Sequence, residues 1–176
     1  MTTFIILLSI IALFHFVYEA IIAPSLRMHF RNKLFVLRDE IRSVRMDGVH
    51  PDDEKAFWYT HDGINSFLSR LPLLTISARV KATLAYAEDA DLQTLMKERR
   101  AMLANCKDER IRDIFERTSH LLEEVFVVNM GAWAIYVLPI VGFFASIGGL
   151  KKLVTNLILM PEKKREEVIP KTVLAG

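Results

Sequence analysis

The run from Thr2 to Ala23, TTFIILLSIIALFHFVYEAIIA, constrains this chain more than any other stretch of it. It carries only two ionisable side chains, His15 and Glu19. A helix needs about 20 predominantly apolar residues to cross the hydrocarbon core of a bilayer, and this run supplies them. A transmembrane helix is therefore expected within residues 1–24. A cleaved signal peptide fits less well: no Lys or Arg precedes the run, the apolar stretch exceeds the roughly 7–15 residues of a signal core, and Glu19 stands near its end. The first basic residues, Arg27, Arg31, Lys33, Arg38, Arg42 and Arg45, all follow the run. Because basic flanks stay in the cytoplasm, the N-terminus is expected outside and the bulk of the chain inside, with the bacterial inner (plasma) membrane as the expected location.

A second apolar run, VFVVNMGAWAIYVLPIVGFFASIGGL, extends from Val125 to Leu150 without a charge. It is long enough to span with some tilt, and residues 125–150 are expected to form a second transmembrane helix. Pro139 and Gly142 lie in its second half and mark a hinge, where the helix kinks or turns back as a re-entrant hairpin. The flanking charges disagree about the topology. A single crossing puts Lys151, Lys152, Lys163, Lys164, Arg165 and Lys171 outside, against the positive-inside bias, whereas a hairpin keeps them in the cytoplasm. A single span is favoured because Val125–Leu138 alone is too short to cross untilted. On that reading residues 151–176 form an interfacial segment, LVTNLILM, followed by a loosely ordered charged tail.

Residues 25–124 differ in kind from both runs. They hold 17 Lys and Arg against 17 Asp and Glu, and no alternating Val/Ile/Thr/Tyr pattern that would form strands. A cytoplasmic helical domain is expected. Gly48 and Pro51 close one segment, Pro51-Asp52-Asp53-Glu54 opens a second with acids at its positive end, and Arg70 with Pro72 closes it. A longer stretch runs from about Leu73 to Asn105 with a break near Glu88–Asp91, and Asp108 caps a last helix expected to continue into the membrane. The fold class is thus an all-α membrane protein, two spans flanking a helical domain. Two such apolar runs beside an ordinary 25% charged residues account for a mean hydropathy of +0.25.

Residues 25–46 form a basic amphipathic segment. At 100° per residue Arg27, Arg31, Arg38, Arg42 and Arg45 fall within about 60° of one another, and Leu26, Phe30, Leu34, Leu37, Ile41 and Val44 occupy an adjoining arc of about 80°. Two arrangements follow. Either the chain bends at Pro24 and lies in the interface with its arginines on anionic headgroups, or the helix stands as a stalk against Ile111, Ile114, Phe115, Thr118, Leu121, Leu122 and Val125 of the last helix. The heptad-like spacing 34, 37, 41, 44 favours the stalk. Nucleic-acid binding is not expected, since the domain has no net positive charge and Phe30 and Phe35 read as packing residues.

Ionisable groups within a span are candidate functional residues because burying them is costly. His15 and Glu19 are four apart and share a face, with Asn129 of the second run as a polar neighbour. Helix-to-helix adhesion is the first expectation and an ion path the second. Enzymatic signals are weak. His50, Asp53, His61 and Asp62 have the side chains of a metal site, and His61-Asp62 resembles the adjacent His-Asp of helical metal-dependent phosphohydrolases, but further ligands at persuasive spacing are lacking. No catalytic residue, resident metal or cofactor is expected. Three function classes remain: a membrane scaffold that docks a cytoplasmic partner or forms a homo-oligomer, a small channel or membrane-permeabilising protein gated by the domain, and a membrane-tethered hydrolase. The first is expected, with anionic lipid headgroups, further copies of the chain or other subunits of a membrane complex as its partners.

Overall fold

A computed structural model of the chain describes residues 1–131 and 147–170, and every regular element among them is helical. Helix α1 (Thr2–Val17) passes through a π-helical turn (Tyr18–Ile22) into α2 (Ala23–Asp47), giving one helix of 46 residues. Pro24 would break an ordinary α-helix, because it has no N–H to donate and its ring crowds the preceding turn. The π turn absorbs this. The Ala23 N–H bonds to the Tyr18 carbonyl five residues back, and the helix continues past Pro24 without a break in its residues. It ends at Gly48, whose φ of 97° suits a residue without a Cβ.

The remaining elements follow the punctuation of the sequence closely. A 3-10 turn at Pro51–Asp53 leads into α3 (Glu54–Leu68), and a second at Leu71–Leu73 leads into α4 (Ile76–Glu88). The expected break falls at Asp89, which caps α5 (Ala90–Ala104) by accepting from the Leu92 N–H at 2.8 Å. Asp108 caps α6 (Glu109–Asn129) through the Arg110 N–H at 3.0 Å. After the undescribed stretch come α7 (Ile147–Leu159) and the short α8 (Glu162–Val168).

The stalk arrangement is the one adopted. Phe30, Leu34, Leu37, Ile41 and Val44 of α2 are buried in one core with Ile111, Ile114, Leu121, Leu122 and Val125 of α6. Ion pairs set the register: Arg110–Asp47 at 2.8 Å and Arg117–Glu40 at 2.7 Å tie the foot and middle of the two antiparallel helices. Phe57, Ile64 and Phe67 of α3 and Leu92, Met96 and Leu103 of α5 complete this core. At roughly 1.5–3 kcal/mol for each fully buried large side chain, the seam is a major source of stability.

The structure corrects the reading of the second half. Helix α6 does not continue through a span. It ends at Asn129, and Gly131 beyond it takes a φ of 75°. Val125 and Phe126, read as the start of a span, are core residues at 0% and 2% exposure. The stretch from Leu153 is not interfacial: Val154, Leu157, Ile158 and Leu159 are buried against the same core, and Gly63 of α3 makes room for Ile158, whose Cγ2 would lie 2.6 Å from any added Cβ. The tail is likewise ordered through residue 170, with Arg165, Val168 and Ile169 buried. A single crossing by residues 125–150 would leave α7 and α8 on the far side of about 30 Å of hydrocarbon, yet both belong to the domain. Residues 132–146, most of that crossing, lie outside the described residues, and among the described residues one helix, Thr2–Asp47, is long and apolar enough to span. Pro139 and Gly142 lie outside the described residues.

Four arginines, none of them expected from the sequence to be anchoring groups, hold the returning chain. Arg70, fully buried at the end of α3, donates from Nε to the Ile169 carbonyl at 2.8 Å, from Nη1 to the Ser66 carbonyl at 3.1 Å and to Ser66 Oγ, and from Nη2 to Glu162 at 2.9 Å. Arg165 caps α7 through the carbonyls of Leu157, Ile158 and Met160 at 3.0, 2.7 and 2.6 Å. Burial lowers the Arg165 pKa to about 10, against the opposing pull of Glu162, so the group stays charged at neutral pH. Arg99 reaches the Leu159 carbonyl and lies 4.4 Å from the Tyr59 ring centroid, while Arg100 bonds to Asn156.

Candidate functional site

The region with the most unusual chemistry is the junction where the exposed apolar helix enters the domain. No residue of Thr2–Ile22 is buried, and Phe4, Leu13, Phe14 and Phe16 are each more than 60% exposed. Burial begins at Ala23. The π turn directs Tyr18 and Glu19 at the end of α6. Tyr18 Oη donates to the Val128 carbonyl at 3.0 Å, and the Glu19 carboxylate lies against Gly131, where any larger side chain would collide with Oε1. The positive φ of 75° is what calls for glycine at 131, since the Glu19 carboxylate is the end of a flexible side chain that can shift.

Asn129 is the pivot of the junction. Its Oδ1 accepts from Arg27 Nε at 2.9 Å, and its Nδ2 donates to the carbonyls of Leu71 and Leu74 at 2.6 and 3.2 Å. One amide therefore joins α2, α6 and the turn between α3 and α4. The Arg27 guanidinium also sits at the negative end of the α6 dipole, a favourable placement. Among the sequence candidates the structure brings Arg27 and Asn129 together, and it places Glu19 beside them at Gly131. His15 lies one turn further along the helix, part-exposed.

The arginine face divides by function. Arg45 pairs with Glu54 at 3.0 Å and lies near the rings of Phe57 and Trp58. Arg38 and Arg42 both approach Asp39, at 3.1 and 3.8 Å. Arg31 differs. It has no ion-pair partner among the described residues, and its buried Nε has no hydrogen-bond partner there either. Arg27 and Arg31 border a cleft of about 390 Å³ between α2 and the end of α3, walled by Met28, Phe35, Leu68 and Leu71.

The four weak metal candidates have separate roles. His50 Nδ1 accepts from the Asp52 N–H at 3.3 Å. Asp53 is buried, and its two carboxylate oxygens accept from the N–H groups of Lys107 and Asp108 at 2.9 and 3.1 Å, clamping the α5–α6 turn to the start of α3. His61 stacks on Phe57, with Nδ1 3.1 Å from Asp62 and Nε2 3.0 Å from Asn65 Nδ2. Donation from Nδ1–H to Asp62 and acceptance at Nε2 satisfy both bonds. Among the described residues no three His, Cys, Asp or Glu side chains gather into a group able to hold a metal ion. Cys106 is buried beside Asp53, and burial pushes its thiol up to about 11, the opposite of nucleophile activation.

The buried arginines escaped the sequence reading because a charged residue in a charged segment looks solvated. The signal that was present is the apolar pair Val168-Ile169 after PEKKREE, which has no reason to stand in a free tail. The chain matches no family model, no curated protein and no solved structure.

Proposed function

We propose that this chain is a membrane-anchored helical scaffold: residues 2–23 cross the bilayer, and the domain works at its cytoplasmic surface, docking a partner or a second copy. The observation that carries the reading is the helix Thr2–Asp47, whose first half is apolar and wholly unburied while its second half is core. An apolar surface of that size is covered by lipid or by other chains. Ala23 ends a stretch about 33 Å long at 1.5 Å per residue, which matches the hydrocarbon thickness. The basic residues beyond it favour the cytoplasmic side. Docking is supported by Ile76, Val80 and Leu84, which recur every four residues along α4 and are 54%, 52% and 53% exposed, a row suited to a partner helix.

Extraction of membranes with alkaline carbonate tests the anchor. The full chain should stay with the membrane, and the double variant Leu7→Lys, Ile11→Lys should be released; a wild-type chain found in the supernatant would overturn the reading. The docking row has its own test. Val80→Glu should abolish cross-linked species of the chain in native membranes while the melting temperature of the domain changes by no more than a few degrees. An unaltered cross-linking pattern would remove α4 from the docking surface.

A further inference from the structure

We propose that the cleft between α2 and α3 at the foot of the span binds one anionic phospholipid of the surrounding bilayer, its phosphate held by Arg27 and Arg31. The inference rests on the reading that residues 2–23 lie in the bilayer, and it adds a discrete ligand to that reading.

Position is the first argument. Pro24 and Arg27 border the cleft and fall within about 6 Å, along the helix axis, of the last apolar residue of the span, at headgroup depth. Arg31 is one turn lower, but side chains on a helix lean toward its N-terminus, here toward the membrane. Charge is the second. Two guanidinium groups and no carboxylate border the cleft. Most other basic residues of α2 have an acidic neighbour, whereas Arg31 has none among the described residues.

The third argument is the unmet hydrogen bond. Buried nitrogen atoms normally have partners, and three arginine Nε atoms here, those of Arg31, Arg99 and Arg100, have none among the described residues. Arg99 and Arg100 lie among the carbonyls and amides that hold α7. Of the three, Arg31 borders the open cleft between α2 and α3. Phe35 holds it there, with the guanidinium carbon 5.7 Å from the ring centroid. The Nε itself is enclosed, so a phosphate in the cleft meets this guanidinium at its outer nitrogens, with charge assistance. The fourth argument is the wall. Met28, Phe35, Leu68 and Leu71 are suited to glycerol and upper acyl carbons, a surface from which a free inorganic anion gains nothing, with Asn65 and Ser69 as the remaining polar lining. The cleft volume lies within the range of small-ligand sites.

Native mass spectrometry of the full chain, released from micelles containing equal amounts of phosphatidylglycerol and phosphatidylcholine, tests the site. One phosphatidylglycerol should be retained per chain in preference to phosphatidylcholine. Arg31→Gln should lower retention about tenfold, as loss of a charged hydrogen bond implies, and Leu68→Trp should do the same by filling the cleft. Arg42→Gln, on the same face but outside the cleft, should retain the lipid. Equal retention of the two lipids, or equal losses in Arg31→Gln and Arg42→Gln, would reduce the effect to general surface charge and overturn the proposal. Displacement by millimolar inorganic phosphate would overturn it in favour of a soluble anion. Flotation of the same preparations with liposomes separates the two levels: a chain that floats yet retains no phosphatidylglycerol defeats this inference alone, and a chain that does not float defeats the anchor with it.

Discussion

Arg70→Met should destabilise the domain by about 3–4 kcal/mol, read as a shift in the denaturation midpoint of the detergent-solubilised chain. Methionine fills much of the arginine volume, so the loss reports on polar contacts more than on a cavity. The contacts removed are those to the carbonyls of Ile169 and Ser66 and to Glu162. Glu162 is 45% exposed and regains water, which keeps the effect below that of a fully buried ion pair. The Ile169 carbonyl has no such recourse, since Ile169 is 1% exposed. Limited proteolysis should therefore cut the variant first near Pro161 and release α8, with the rest of the domain intact. A change below about 1 kcal/mol, or first cleavage elsewhere, would show that the tail is held by its apolar residues and not by the arginine.

The second large effect is expected at Asp53. Asp53→Ala leaves the N–H groups of Lys107 and Asp108 without acceptors, and two hydrogen bonds to a buried carboxylate are together worth about 3 kcal/mol. Asp53→Asn keeps one acceptor oxygen and should lose roughly half as much. Cys106 supplies a local readout. Its thiol is raised from 9.0 to about 11, first by burial and secondarily by the Asp53 charge, so the folded wild type holds about a hundredfold less thiolate than an ordinary cysteine at the same pH. Opening the turn exposes the thiol and removes that charge, and both changes lower the pKa. Alkylation of Cys106 at pH 8 should then quicken in Asp53→Ala, while chelators change nothing in either protein. Loss of a bound metal ion from the variant would instead restore the metal-site reading of this residue.

How far the sequence could be read depended on what each stretch packs against. The α2 stripe was legible because Leu34, Leu37, Ile41 and Val44 face a single partner, so the three-and-four spacing is unbroken. Asp89 and Asp108 announced their helices because capping is local chemistry. The start of the run 125–150 was harder to read, for a different reason. Val125 and Phe126 are apolar because they belong to the helical core, and they run without a charge into a stretch whose residues 132–146 lie outside the described part. Hydropathy averages over such a boundary, and only Gly131 marks it. The junction itself was half legible. Asn129 and Glu19 stood out as polar residues in apolar runs, but the Leu71 and Leu74 carbonyls that Asn129 bonds and the neighbourhood of Gly131 that Glu19 enters are set by tertiary contact and leave no local signature.

The uninterrupted passage from α1 to α2 has a mechanical meaning. On the proposed anchor reading, one end of this helical rod lies among acyl chains and the other is the central beam of the folded domain, with no loop between the two. Tilt of the rod is tilt of the domain. A bilayer that thins forces a helix of fixed apolar length to lean, and a lean of 20° carries the far end of α2, about 37 Å from Ala23, sideways by about 13 Å. On that reading the angle of the domain's faces to the membrane plane, the proposed α4 docking row included, follows lipid thickness, and the composition of the surrounding leaflet becomes a geometric input to whatever those faces meet.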